Sequence, residues 1–350
     1  MSGLCGWFHP GRAGPASPEV VATMAAPLSR FDDSTVRSAS TGFGALAAAG
    51  ADLDIFQDDH QLVAVWGRTR FTDTGLAALA QRHGVARALA QGYARMGTDV
   101  LTTLAGAFAL AILDGRGGEA VLAIDRMGMR PLCYSVAGDT LVFGSTLDAI
   151  SAFPANTPEI NHQAIYDYIY FHMVPGPCTI HVGRHRLLPG SFLLWRNGKA
   201  ETRAYWEMRF AEDERRPLPE LKNDFLAALR ASVRDASRDR TVGAFLSGGT
   251  DSSTIAGMLG EVTGQPARTY SIGFEAQGYD EMHYARIAAR HFGTQHHEYY
   301  VTPDDVVNVI PQIAAVHDQP FGNSSAVPTY FCAKLAKDDG VDTLLGGDGG

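Results

Sequence analysis

The 350-residue chain is long enough for two domains, each with a core of its own. A formal charge of −9 without any Lys/Arg cluster excludes a surface built to neutralise nucleic-acid phosphates. Hydrophobic residues make up 45% of the sequence, yet no stretch approaches the roughly 20 uninterrupted apolar residues of a membrane span, so no membrane partner is expected.

The first residues, MSGLCGWF, place a cysteine at position 5, and no basic segment followed by an apolar core marks a secretory signal. The four cysteines, at 5, 133, 178 and 332, show no CxxC spacing. They suit packed thiols in a reduced, cytoplasmic setting better than a zinc or disulfide framework. A helix is expected over SPEVVATMAAPLSRF (17–31), capped by Ser17 with Pro18 at its first position, and another over the Ala/Leu-rich stretch 75–95. Strands are expected at 62–71, 107–114, 120–126, 141–145 and 191–198, which are rich in β-branched and aromatic residues and end in Gly or Asp turns. Many strands with few intervening helices predict a layered α+β first domain.

The pattern changes at the charged segment AEDERRPLPE (211–220). A helix over 218–237 is followed by strand TVGAFLSGG, helix DSSTIAGMLGEV, strand ARTYSIGF, helix DEMHYARIAARHFG and strand HHEYYV. This βαβαβ order predicts a parallel sheet covered by helices. Residues 1–206 and 207–350 are accordingly read as two domains.

The strongest chemical signal is AFLSGGTDSS (244–253), an apolar strand running into a Ser/Gly loop and then a helix. Glycines let the backbone approach an anion, and the amides, hydroxyls and helix N-terminus all face it. The loop lacks the GxxxxGK[ST] pattern, which argues against γ-phosphate transfer of the P-loop kind. Asp251, a carboxylate inside a phosphate cradle, implies a divalent cation such as Mg2+ to offset its charge. His296-His297-Glu298 is not read as a metal site, because neighbouring residues on a strand point to opposite faces.

The SGGxDSS loop resembles the pyrophosphate loop of ATP pyrophosphatases, which adenylate a substrate and release pyrophosphate. SIGFEAQGYDEMHYARIAARHFGTQHHEYYVTPDD (271–305), DQPFGNSSAVPTYFCAKLA (318–336), LLGGDGG (344–350), AIDRMGMRPLCY (123–134) and VPGPCTIHVGRHRLLPGSFLLWRNG (174–198) narrow the resemblance to the asparagine synthetase family. The resemblance implies an N-terminal glutaminase-type (Ntn) αββα domain of four layers and an α/β ATP-binding synthetase domain with a parallel sheet, incomplete at its C-terminal side. It implies ATP and magnesium, aspartate or another carboxylate as acceptor, glutamine or ammonia as nitrogen donor, and a homodimer as one possible assembly. Carried over by motif, Leu246, Ser247, Gly248, Gly249, Thr250, Asp251, Ser252 and Ser253 hold the phosphates, with Asp251 as metal ligand. Ile272 lies against adenine, Gly346 and Gly347 flank the nucleotide, and Asp348 falls at an acidic position important for the adenylate step. Relatives carry a further metal-ligating aspartate, which the resemblance places beyond residue 350.

The glutaminase half departs from the family pattern. In relatives the nucleophilic cysteine directly follows the initiator methionine, so Cys5 could act only if residues 1–4 were removed, and it otherwise reads as a small hydrophobe. The HRGPD motif is absent around 37–44, and Trp66-Gly67-Arg68-Thr69-Arg70-Phe71 stands where NGEIYN would supply an oxyanion amide. Two alternatives to asparagine synthesis follow: a cyclase of the β-lactam synthetase or lasso-peptide type that uses an internal amine, and a non-catalytic nucleotide-binding paralogue.

Overall fold

A computed structural model describes residues 2–10, 18–30, 35–154, 157–210, 215–274 and 280–348. The chain divides into two compact units, one formed by 1–209 with 317–322 and the other by 210–316 with 323–350. The expected helix cap at Ser17 lies outside the described residues; the helix itself runs from Pro18 to Ala25 and continues as a 3-10 turn to Ser29.

The first unit holds two six-stranded antiparallel sheets. One runs in the order Arg184–Arg186, Cys133–Ala137, Thr140–Gly144, Gly3–Phe8, Gly44–Ala49, Val36–Thr41. The other runs Lys199–Ala204, Ser191–Arg196, Glu119–Ile124, Phe108–Asp114, Gln61–Gly67, Leu53–Gln57. Leu4, Phe8, Leu46, Leu62, Leu113 and Leu122 fill the space between the sheets. The outer face of the first sheet packs on helices Pro18–Ala25 and Leu147–Ser151, and that of the second on Thr74–His83 and Val85–Met96. The result is the helix–sheet–sheet–helix stack anticipated for this half.

The central strands of such a stack are covered on both sides, whereas the edge strands Val36–Thr41 and Lys199–Ala204 are largely exposed. In Gly3–Phe8, Leu4 and Phe8 face the inter-sheet core while Cys5 and Trp7 face the helices. All six residues are buried, so the strand carries no polar alternation and is invisible to a period-2 reading. The apolar strand expected over 62–71 ends at Gly67 (φ 116°), where a Cβ would stand 2.3 Å from the Ala107 carbonyl oxygen. The helix expected over 75–95 is two helices, because Gly84 adopts φ 91° and ends the first. Asp54 Oδ2 then accepts from Ala86 N at 2.9 Å, filling the place a Cβ on Gly84 would take.

The hexapeptide 317–322 also departs from a simple boundary near 206. Asp318 Oδ2 accepts from Leu147 N at 2.6 Å, at the start of a helix already capped by Thr146. Ile180 N donates to Gln319 Oε1 at 3.3 Å and Gly322 N to His172 O at 2.8 Å.

The second unit is a four-stranded parallel sheet in the order Gln295–Val301, Arg268–Phe274, Val242–Phe245, Thr343–Leu345. Helices Leu218–Ser237, Thr250–Thr263 and Met282–Phe292 cover one face through Val233, Leu259, Met282 and Ala285. Ala326–Asp338 covers the other through Cys332 and Ala336. No helix among the described residues is long and apolar enough to cross a membrane.

Asp125, 2% exposed, closes the Glu119–Ile124 strand with a backbone nest. Its carboxylate accepts from Phe108 N (3.2 Å), Met127 N (3.0 Å), Met129 N (3.1 Å) and Arg130 N (3.1 Å). Asp125→Ala leaves these donors without their acceptor and is expected to lower unfolding free energy by about 3 kcal/mol or more, read from the urea midpoint at unchanged slope. A loss below about 1 kcal/mol would contradict the role assigned to this carboxylate.

Candidate nucleotide site

In the second unit Val242–Phe245 is joined on one side to Arg268–Phe274 and on the other to Thr343–Leu345. The chain therefore leaves the first strand toward one flank and returns later on the opposite flank. This is a topological switch point, and the crevice beyond the carboxyl ends of such strands is where open parallel sheets bind ligands. The loop Leu246–Gly249 follows one of these strands and Gly346–Asp348 follows the other.

Gly248 adopts φ 84°, and a Cβ there would sit 2.5 Å from the backbone of Tyr284 and Ala285. The loop thus lies directly against the helix Met282–Phe292, at a distance that only glycine permits. Within the loop Ser247 Oγ and Ser252 Oγ are 2.9 Å apart, Ser247 N donates to Ser252 Oγ at 3.2 Å, and Gly249 N to Ser247 Oγ at 3.3 Å. Leu246 is buried and its carbonyl accepts from Ser271 Oγ, which pins the loop's root to the neighbouring strand. Thr250 begins the helix Thr250–Thr263, whose first turn contains Asp251 and whose N-terminus carries no side-chain cap. Uncapped amides there are ready donors for an anion. Ser253 Oγ is buried with no hydrogen-bond partner, an orphaned donor in the same first turn.

The second loop closes on the first. A Cβ on Gly347 would meet Asp251 Cβ at 2.7 Å and Ser252 N at 2.9 Å, so the glycine pair lies on the first turn of that helix. Asp348, exposed, folds its carboxylate back over Gly346. Asp251, Gly346, Gly347 and Asp348 are therefore neighbours although about a hundred residues apart in sequence. Ile272 is half-buried and lines a cavity of about 180 Å³ with Leu246, Ser247 and Ser271. Glu281, Met282, Thr329 and Cys332 are among its other walls. Of these only Cys332 is singled out in the sequence, and as a packed thiol; all four come from segments matching the family pattern, but nothing local marks them as lining residues.

His296 and His297 separate as strand alternation requires. His296 Nδ1 meets Thr269 Oγ1 at 3.0 Å, whereas His297 stacks on Tyr270 and pairs with Asp339 at 3.0 Å.

In the first unit, Cys5 sits mid-strand, paired with Ala47 and Gly144, and is fully buried. Burial pushes its thiol up to about 12, so it is protonated at neutral pH. Removing residues 1–4 would strip away the pairings of Gly3 with Ala49 and Leu4 with Ala48, and the bond from Leu4 N to Ser145 Oγ. Trp66 and Gly67 end the Gln61–Gly67 strand, and Arg130 lies over the Trp66 ring at 4.5 Å. These surroundings suit a packed thiol.

Comparison with known proteins matches a glutamine amidotransferase domain to residues 80–206 and an asparagine synthase domain to residues 224–350. A putative glutamine-hydrolysing asparagine synthetase 2 from Methanocaldococcus jannaschii is 35% identical over 266 residues, 74% of this chain and 51% of the relative. The chain belongs to the asparagine synthetase family. Asparagine synthetase 1 of Bacillus subtilis is 30% identical over 262 residues, 71% of this chain and 40% of that one. A putative asparagine synthetase of Mycobacterium tuberculosis H37Rv is 34% identical over 288 residues, 75% of this chain and 43% of the relative. The chain thus spans about half, or less, of the length of these asparagine synthetases.

Thiol accessibility tests the packing of Cys5. Cys178 is exposed, whereas Cys5, Cys133 and Cys332 are buried, their thiols raised to about 12, 11 and 12 by desolvation. Native protein at pH 8 should therefore react promptly with a disulfide reagent at Cys178 alone, and at all four thiols after denaturation. Prompt labelling of Cys5 in the native state, located by peptide mass, would show that it is an accessible nucleophile.

Proposed function

We propose that this protein is an ATP-dependent carbon–nitrogen ligase of the asparagine synthetase type. It adenylates a carboxylate, aspartate being the family's acceptor, and releases pyrophosphate before an amine or ammonia displaces AMP. The observation that carries this reading is the meeting of two loops at the switch point. Gly248 admits no side chain there, Gly347 lies on the first helical turn, and Ser253 Oγ lacks a partner beside the uncapped amides.

Ser247 through Ser253 would hold the β- and γ-phosphates by main-chain N–H groups and hydroxyls, and Ile272 would pack against the base. Fixed donors stabilise the charge that develops on phosphoryl oxygens because they need not reorganise as the α-phosphorus is attacked. The two exposed carboxylates, Asp251 and Asp348, are hard oxygen donors with open sides, which suits an ion that keeps water and phosphate oxygens as its other ligands. Mg2+ held there would neutralise charge on the leaving pyrophosphate. Asp348, beside the glycine pair, would orient the acceptor or the cation.

The burial of Cys5 favours a nitrogen source other than glutamine hydrolysed by this thiol. Free ammonia fits, and so does an amine within the acceptor, as in ring-closing relatives.

The test is pyrophosphate release by the full-length protein from ATP with aspartate. Release is expected with ammonium and not with glutamine, and Gly248→Ala should reduce it by about a hundredfold or more through displaced phosphate donors. Equal release from glutamine would overturn the reading of Cys5. Undiminished release by Gly248→Ala would overturn the reading of the loop.

A further inference from the structure

The first unit contains a second cavity, of about 580 Å³, remote in sequence from the nucleotide loop. Its volume lies in the range of small-molecule sites. It is bounded by the turn after Asp125, the loop 186–191 and the end of the Lys199–Ala204 strand with the residues that follow it. Met127, Leu187, Leu188, Pro189 and Met208 make most of its wall apolar. Three guanidinium groups join that wall, from Arg126, Arg186 and Arg203.

Arg203 is already paired with Glu201 at 2.7 Å. The other two differ. Arg126 lies over the Trp206 ring at 5.7 Å and reaches the Leu104 carbonyl through Nη2 at 3.4 Å, but its Nε is buried with no acceptor. Arg186 reaches the Cys133 thiol, and its Nε is likewise buried with no acceptor. Buried donors are almost always satisfied, yet each of these two arginines on the cavity wall carries an Nε–H without an acceptor. Glu207 is the only carboxylate among the described lining residues, and it is exposed.

We propose that this cavity binds a small organic carboxylate with a flat apolar body. A carboxylate presents two coplanar acceptors, which match the fork of a guanidinium. The thioether, leucine and indole wall favours an apolar remainder, and inorganic phosphate would leave that wall without a partner. Such a site would allow an aromatic or similarly flat acid to be sensed or held by a unit that the nucleotide chemistry does not use.

Calorimetric titration of the intact protein with 2-naphthoate, 2-naphthamide and inorganic phosphate tests this. Naphthoate should bind saturably at one site, with the neutral amide weaker by about tenfold or more because it forfeits the charge-assisted bonds. Arg126→Gln and Arg186→Gln should each weaken naphthoate by about tenfold. Leu188→Trp, which fills the cavity and removes no charge, should abolish binding even if the arginine variants fail to fold. Absence of saturable naphthoate binding, equal affinity for the amide, competition by phosphate at similar concentration, or full binding by Leu188→Trp would each overturn the proposal.

Discussion

Main chain must touch main chain at two places in the second unit, and glycine is the residue that permits it. Gly248 lies against the backbone of Tyr284 and Ala285, and Gly347 lies against Asp251 and Ser252. The first packs the loop 246–249 on the helix Met282–Phe292, and the second lays the loop 346–348 on the N-terminus of Thr250–Thr263. Everything proposed for the site depends on them: the concentration of backbone donors, the proximity of Asp251 to the Gly346–Asp348 turn, and the pocket beside Ile272. Any side chain at either glycine would force the loops apart, because the atoms met are backbone and Cβ atoms, which no rotamer change can move.

The first unit is governed by a different constraint, the burial of both faces of the central strands of both sheets. A strand inside a four-layer stack has no solvent side, so small residues set the spacing; Ala45, Ala47 and Ala49 face the helices while Leu46 and Ala48 face the opposite sheet. Cys5 takes its character from this packing. Its neighbours are apolar, its strand continues on both sides, and the cost of ionising it is the cost of placing charge in a dry core. This position is the ground for the proposed nitrogen supply that bypasses the thiol.

The second unit was the more legible half in sequence. Its strands and helices alternate with clear punctuation, and LSGGTDSS announces both a close turn and a helix start. The pairing of Gly347 with Asp251 was not legible, since it arises from strand order and not from any local pattern. In the first half the central strands at 107–114 and 120–126 stood out as apolar runs, but Gly3–Phe8 did not, because complete burial erases the alternation that marks a strand. Gly84 was absorbed into one long helix because alanine-rich flanks outweigh a single glycine, whereas the deciding contact is Asp54, thirty residues earlier. The excursion of 317–322 into the first unit rests on side-chain acceptors, Asp318 and Gln319, meeting backbone donors far away in sequence. Such pairings have no signature in a single chain.

Amide hydrogen exchange of the full-length protein with and without ATP and Mg2+ addresses the central claim most directly. Protection on nucleotide addition should rise most at the amides of Ser247 through Ser252 and at the turn 346–348, where donors become engaged. Nucleotide binding demonstrated by calorimetry, with exchange at both segments unchanged, would contradict it.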